Sequence, residues 1–243
     1  MNGEDRSQSW RRTDAARVMA VGGLLFAILL VVNVMTTANG PDPVEPAASE
    51  AARIAAHATA IRWSGLLGLL GDLAFGAFGA GAALVARSRG ADLLAALTAA
   101  AAVTTAALWS SSFAALVASA QAAQGGLSAD ATMIMGHLHS TTLIAGFAPA
   151  GATVLLSCAA GTFGRATRAT GTLVGAAGLL ASTALLSPSL DRGPMGIAVV
   201  VVFLGLPLWL LVMAISVLLG RPVRGRWNVS TRPADPSLST DRP

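Results

Sequence analysis

Charged positions divide this chain into long uncharged stretches. Arg17 and Asp42 enclose 24 residues without a charge, around VMAVGGLLFAILLVVNVM, and Arg62 and Arg87 enclose another 24 interrupted only by Asp72. Asp92 to Asp130 holds an Ala-rich run, and Asp130 to Arg165 a fourth that contains His137 and His139. Arg168 to Asp191 and Arg192 to Arg221 bound the fifth and sixth. A helix needs about 20 mostly apolar residues to cross ~30 Å of hydrocarbon. The pattern predicts helices over 18–38, 61–86, 92–119, 132–160, 169–187 and 195–219. These runs are too long and too continuous for the ~10-residue alternating strands of a membrane β-barrel. The expected fold is all-α, a polytopic membrane bundle of six transmembrane helices.

The connections carry turn chemistry. Asn39-Gly40-Pro41-Asp42-Pro43 stops the first helix, because proline lacks a donor and disfavours helix before it. Gly125-Gly126 and Ser187-Pro188 break the chain after the third and fifth helices. Residues 47–60 read as helical with Glu50, Arg53 and His57 on one face, which extends the second helix beyond the membrane. Residues 1–17 form an N-terminal segment, 18–219 the membrane domain, and 220–243 a Pro-, Ser- and Arg-rich tail too polar to order itself. Arg11-Arg12 before an apolar run has the look of a cleaved signal peptide. The run exceeds the usual 7–15 residues of such signals, however, and is read as a retained helix.

Arginine placement predicts orientation. With the N-terminus inside, 13 arginines fall on the cytoplasmic side and only Arg53, Arg62 and Arg192 outside. Both ends are therefore expected in the cytoplasm.

Composition agrees with lipid as the solvent. Apolar residues make up 54%, charged residues 12%, and mean hydropathy is +0.66. The sequence pI near 11.2 invites a nucleic-acid reading, but net charge is only +4 and every strong base is arginine. No large positive patch is implied, and no nucleic-acid partner is expected. The absence of Lys and Tyr, both A/T-rich in codons, suggests a GC-rich bacterial genome and hence a bacterial plasma membrane. A lone cysteine, Cys158, excludes an intrachain disulfide.

Four polar residues stand out as candidates. Asp72 lies halfway along the second helix, where an ionisable group costs several kcal/mol unless neutralised, paired or hydrated. Ser64, Gly68, Asp72, Gly76 and Ala80 recur every fourth residue as a stripe of small residues, which faces a neighbouring helix or a second copy of the chain. His137 and His139 share the outer half of the fourth helix. Residues two apart point about 200° apart on a helix, so both imidazoles do not reach one ion unless the helix unwinds. Arg62, followed by Trp63, reads as an interfacial anchor. Asn33, Thr104, Thr105 and Ser110 to Ser112 are expected to hydrogen-bond between helices. Gly146, Pro149 and Gly151 predict a kink in the fourth helix. No phosphate loop, dinucleotide fingerprint, HExxH or CxxC is present, so no catalytic residue, metal ligand or cofactor is assigned.

Three stretches resemble a group of bacterial six-helix membrane proteins catalogued as domain-of-unknown-function family 4386. They are ARVMAVGGLLFAILL in the first helix, RWSGLLGLLGDLA with Arg62 and Asp72 in the second, and HLHSTTLIAGF followed by FGRATRATGTLVGAAGLL in the fourth and fifth. The resemblance spans roughly residues 12–220. It implies the six-helix fold and no particular activity. The expected function is that of an integral membrane protein of unknown activity, and the first specific reading is a small permease-like or proton-linked transport protein using Asp72 and a histidine in the outer half, its small-molecule substrate unspecified. A non-catalytic membrane packing component comes next. Last is an intramembrane metal-dependent enzyme built on His57, Asp72, His137 and His139.

Overall fold

The computed structural model describes residues 3–36, 46–186 and 194–219, and every regular element in them is helical. The α-helices in chain order are α1 (Gly3–Thr36), α2 (Ala47–Arg87), α3 (Asp92–Gln124), α4 (Ala129–Ala145), α5 (Phe147–Ala159), α6 (Arg165–Ser182) and α7 (Pro194–Leu218). A 3-10 turn, Thr183–Leu186, prolongs α6. Helices α4 and α5 are two halves of one span. Six stretches are long and apolar enough to cross a membrane: Asp14–Met35, Ala58–Arg87, Asp92–Gln124, Ala129–Ala159, Arg165–Leu186 and Gly196–Leu218.

Several boundaries differ from the sequence reading, each for a local reason. Helix α1 starts at Gly3, not near residue 18, because nothing from Glu4 to Ala20 breaks a helix. Helix α3 runs on to Gln124 because its first breaker is Gly125, and Gly126 then turns the chain with φ 71°. Helix α4 begins at Ala129, where the Ser128 side chain caps it by accepting from the Ala131 amide at 3.2 Å. Helix α6 starts at Arg165. The polar tail expected over 220–243 lies outside the described residues, as do positions 37–38 and 187 at the ends of two predicted helices.

The spans pack in sequence order, and α7 returns against α1 to close the ring. Helix α2 lies between α1 and α3 and also touches α4 and α5, which turns one of its faces toward the interior. Glycine sets the closest approaches. A Cβ on Gly22 of α1 would stand 2.5 Å from the Phe78 amide nitrogen and 2.8 Å from the Ala74 carbonyl of α2. Gly151 of α5 meets the backbone of Gly175 and Gly178 on α6 in the same way. This is how membrane helices gain dispersion contact where no hydrophobic effect pulls them together. At one end of the bundle the Arg89 guanidinium donates to the Gly161 carbonyl, tying the α2–α3 turn to the α5–α6 turn.

Aromatic rings fill the centre. Phe26 stacks on Trp109 at 5.7 Å, Phe75 bridges Trp109 and Phe78, and Phe78 meets Trp209 edge-on at 6.1 Å. The outer surface is apolar as well: Leu73 is 70% exposed, Leu173 70% and Leu204 65%. Soluble monomers rarely leave a contiguous apolar patch beyond a few hundred Å² in water, so this surface belongs in hydrocarbon.

The packing predicts unequal costs for adding one methyl group. Gly22→Ala drives a Cβ into α2 backbone and should lose about 1–3 kcal/mol of stability, as overpacking does. Gly76→Ala meets nothing nearer than Ala106 Cβ at 4.0 Å and should be neutral or slightly stabilising. Reversible unfolding of the purified protein in mixed micelles measures both, and equal effects would contradict the packing described.

Candidate functional site

Asp72 sits at the middle of the Ala58–Arg87 span and is 1% exposed. Helix α2 is lined with glycine here, so neighbouring elements come close: the Phe113 ring of α3 lies directly over Gly68. Ser110 Oγ of α3 donates to Asp72 Oδ2 at 3.2 Å. The ion pairs found among the described residues do not include Asp72. A carboxyl group in the membrane interior with one long hydrogen bond and no cation is costly to keep.

Asp72 is among the residues that line a cavity of about 30 Å³. That is room for about two or three waters, since a water needs roughly 10–15 Å³ by this measure. Phe26 and Leu29 of α1, Trp109 and Phe113 of α3, Phe147 of α5 and Leu206 of α7 are among its walls. Asn33 of α1 is the other polar side chain facing it; Asn33 is 4% exposed and accepts from Ser64 Oγ of α2. The site therefore draws on nearly every element of the ring.

A break in the fourth span forms one wall. Pro149 cannot donate to the Ala145 carbonyl, and the chain divides at Gly146, as the sequence predicted. Trp109 braces the break: its indole N–H donates to the Leu143 carbonyl at 3.0 Å, an oxygen that in an unbroken helix would accept from Phe147. Gly146 permits this, because a Cβ there would collide with the indole ring.

The histidines part company. His139 is 8% exposed and held by Ser112, whose carbonyl lies 3.0 Å and whose hydroxyl lies 2.7 Å from Nδ1. A carbonyl only accepts, so Nδ1 carries a proton and donates, while Ser112 Oγ donates to the His139 carbonyl at 2.8 Å. His137 points outward and is exposed. Neither imidazole lines the Asp72 cavity. Phe113 does, and its ring also packs against the His139 ring at 5.9 Å.

Arg62 is exposed, ten residues from Asp72 on α2, and is not part of the cavity wall. His57 is exposed, its Nδ1 2.9 Å from the Arg53 carbonyl of its own helix. His57, Asp72, His137 and His139 do not gather into a group able to hold a metal ion. Compared with known proteins, the chain matches no family model, no curated protein and no solved structure.

The small-residue stripe faces the interior over only part of its length. Ser64, Gly68 and Asp72 are buried, but Gly76 is half-buried and Ala80 exposed. Fourth-residue spacing drifts about 40° per step around a helix of 3.6 residues per turn, and the stripe rotates out of the interior. The expected interhelical hydroxyls also divide. Thr104, Thr105 and Ser111 bond carbonyls of their own helix, whereas Ser110 and Ser112 reach across to Asp72 and His139. Trp109 and Phe113 were not singled out from the sequence. Their signal was present, since large rings amid an Ala- and Ser-rich helix fill space that small neighbours leave.

Trp109→Phe keeps most of the ring but removes the N–H that satisfies the Leu143 carbonyl. It should cost about 1–3 kcal/mol, the penalty for a buried acceptor losing its donor. Chemical unfolding in detergent reads this directly, and an unchanged midpoint would show that the brace contributes nothing.

Proposed function

We propose that this chain is a multi-pass protein of the bacterial plasma membrane with both ends in the cytoplasm. It works as a small permease-like or proton-linked transport protein, with Asp72 as the ionisable contact at its centre. One observation carries the reading: Asp72, 1% exposed at mid-span, opens onto a cavity shared by α1, α2, α3, α5 and α7. The fourth span, broken between α4 and α5 ahead of Pro149, flanks that cavity, as does α7, a continuous helix that carries Pro207. Interrupted helices at mid-membrane are where transporters commonly bind their cargo. The cavity is too small for an organic substrate, so the conformation described is a closed one in the proposed cycle. The motifs around Arg62, Asp72 and His139 support placing the chain with domain-of-unknown-function family 4386.

Orientation rests on arginine. Arg87 and Arg89 where α2 gives way to α3, and Arg165 and Arg168 at the start of α6, belong to one end of the bundle, where the Arg89–Gly161 bond ties the two turns together. Basic turns stay cytoplasmic. In a Cys158→Ser background, Ser88→Cys should resist an impermeant thiol reagent in intact cells, and Leu127→Cys on the α3–α4 turn should react. The reverse result would invert the topology.

The cavity's tightness favours a second reading, a packing component that moves nothing. Leu67, which lines the cavity, separates the two. In the same background, Leu67→Cys should react with the impermeant reagent as the protein opens, at a rate that Asp72→Asn changes without altering the unfolding midpoint. Complete protection of Leu67→Cys, with Asp72→Asn behaving as the parent, would leave only packing.

A further inference from the structure

A second, wider hollow adjoins the Asp72 cavity on its α1/α7 side. This groove, about 460 Å³, lies between the outward faces of the two helices, walled by Ala27, Ile28 and Val31 of α1 and Leu204, Pro207 and Leu208 of α7. Its walls are apolar throughout, and Leu204 and Leu208 are 65% and 62% exposed on the lipid-facing surface. Leu30 and Phe203 line both hollows. These two half-buried side chains thus stand where the groove meets the cavity that Asp72 lines.

Phe203 stands at a weak point of its helix. Pro207 inside α7 has no N–H for the carbonyl of Phe203 one turn earlier, and its ring crowds that oxygen. Helices bend where the ladder is interrupted in this way. The turn that carries Phe203 is therefore the one in α7 freest to move aside.

We propose that groove and cavity together form a lateral binding site for a slender amphiphilic amine. Its apolar body lies between α1 and α7, and its ammonium head passes Leu30 and Phe203 to reach Asp72. The inference rests on reading Asp72 as a functional contact, and adds the ligand class and the route. Asp72 is the only ionisable side chain lining either hollow among the described residues, and no cation meets it. An anionic head would be repelled by the carboxylate at low dielectric, and a neutral hydrocarbon would leave it with the Ser110 hydroxyl as its partner and no countercharge. An ammonium supplies a charge-assisted hydrogen bond, the strongest partner available to a carboxylate there. Dimensions agree: the inner cavity of about 30 Å³ admits a compact head, and the groove of about 460 Å³ falls in the size range of small-molecule sites.

The test uses the full chain in phosphatidylcholine nanodiscs, titrated with decylamine, decanoate and decanol, with saturable binding read above simple partition into lipid. Decylamine should saturate a single site, and decanoate and decanol should not. Asp72→Asn should weaken decylamine by roughly ten-fold or more, as loss of a buried charge partner does. Leu30→Trp, which leaves Asp72 in place and blocks the passage, should weaken it comparably. Equal binding of the three probes, or decylamine affinity unchanged in Leu30→Trp or in a folded Asp72→Asn, overturns the site. Labelling of Leu67→Cys without decylamine binding would reject the lateral amine site and keep Asp72's transport role. Asp72-dependent binding without that labelling would keep the site and reject the outer water route.

Discussion

Hydrocarbon offers no hydrogen bonds, so each polar group in these spans must be satisfied from within the protein. Most hydroxyls meet the demand locally. Thr98, Thr105, Thr153 and Ser157 each donate to the carbonyl four residues back on their own helix, and demand nothing of the tertiary structure. The groups that cannot be satisfied this way organise the bundle. Asn33 with Ser64 joins α1 to α2, Ser110 with Asp72 joins α2 to α3, Ser112 with His139 joins α3 to α4, and Trp209 with the Thr167 carbonyl joins α6 to α7. These four pairings run between neighbours in the ring and set the rotation of each helix about its axis.

Within that arrangement, glycine and aromatic residues act as complements. Glycine lets α1 press against α2 and α5 against α6, while Phe26, Phe75, Phe78, Trp109 and Trp209 fill the middle that such thin helices would leave open. The aromatic share of the chain is only 5%, yet most of those rings meet one another inside. The cavity at Asp72 is the place where this filling stops. Its walls include the turns preceding Pro149 and Pro207, so backbone that lacks a donor to one carbonyl lies beside a buried carboxyl held by a single hydroxyl.

Outside the hydrocarbon, α2 shows a different economy. Glu50 is fully buried and receives two hydrogen bonds from Arg53, at 2.9 Å from Nε and 2.7 Å from Nη2. A buried carboxylate here has a forked cationic partner on the next turn, which is what Asp72 lacks. The contrast marks Asp72 as a position where pairing within the protein was left incomplete.

The six spans, their breaks at Pro149 and Gly125, and the prominence of Asp72 were all legible in the residue order. They follow from run length, proline chemistry and the cost of charge in lipid, which act along one helix at a time. Helix ends were read less well, because polar but helix-favouring residues such as 4–17 carry no hydropathy signal. What only the tertiary structure decided is which faces meet. His137 and His139 differ by a rotation that the sequence states, yet the face pointing inward depends on Ser112 and Phe113 from another helix. Likewise no pattern along α1 or α7 announces that Leu30 and Phe203 jointly line both hollows. Residues more than a hundred positions apart become neighbours only through the rotation and closure of the ring, which are settled by the packing of all its helices at once.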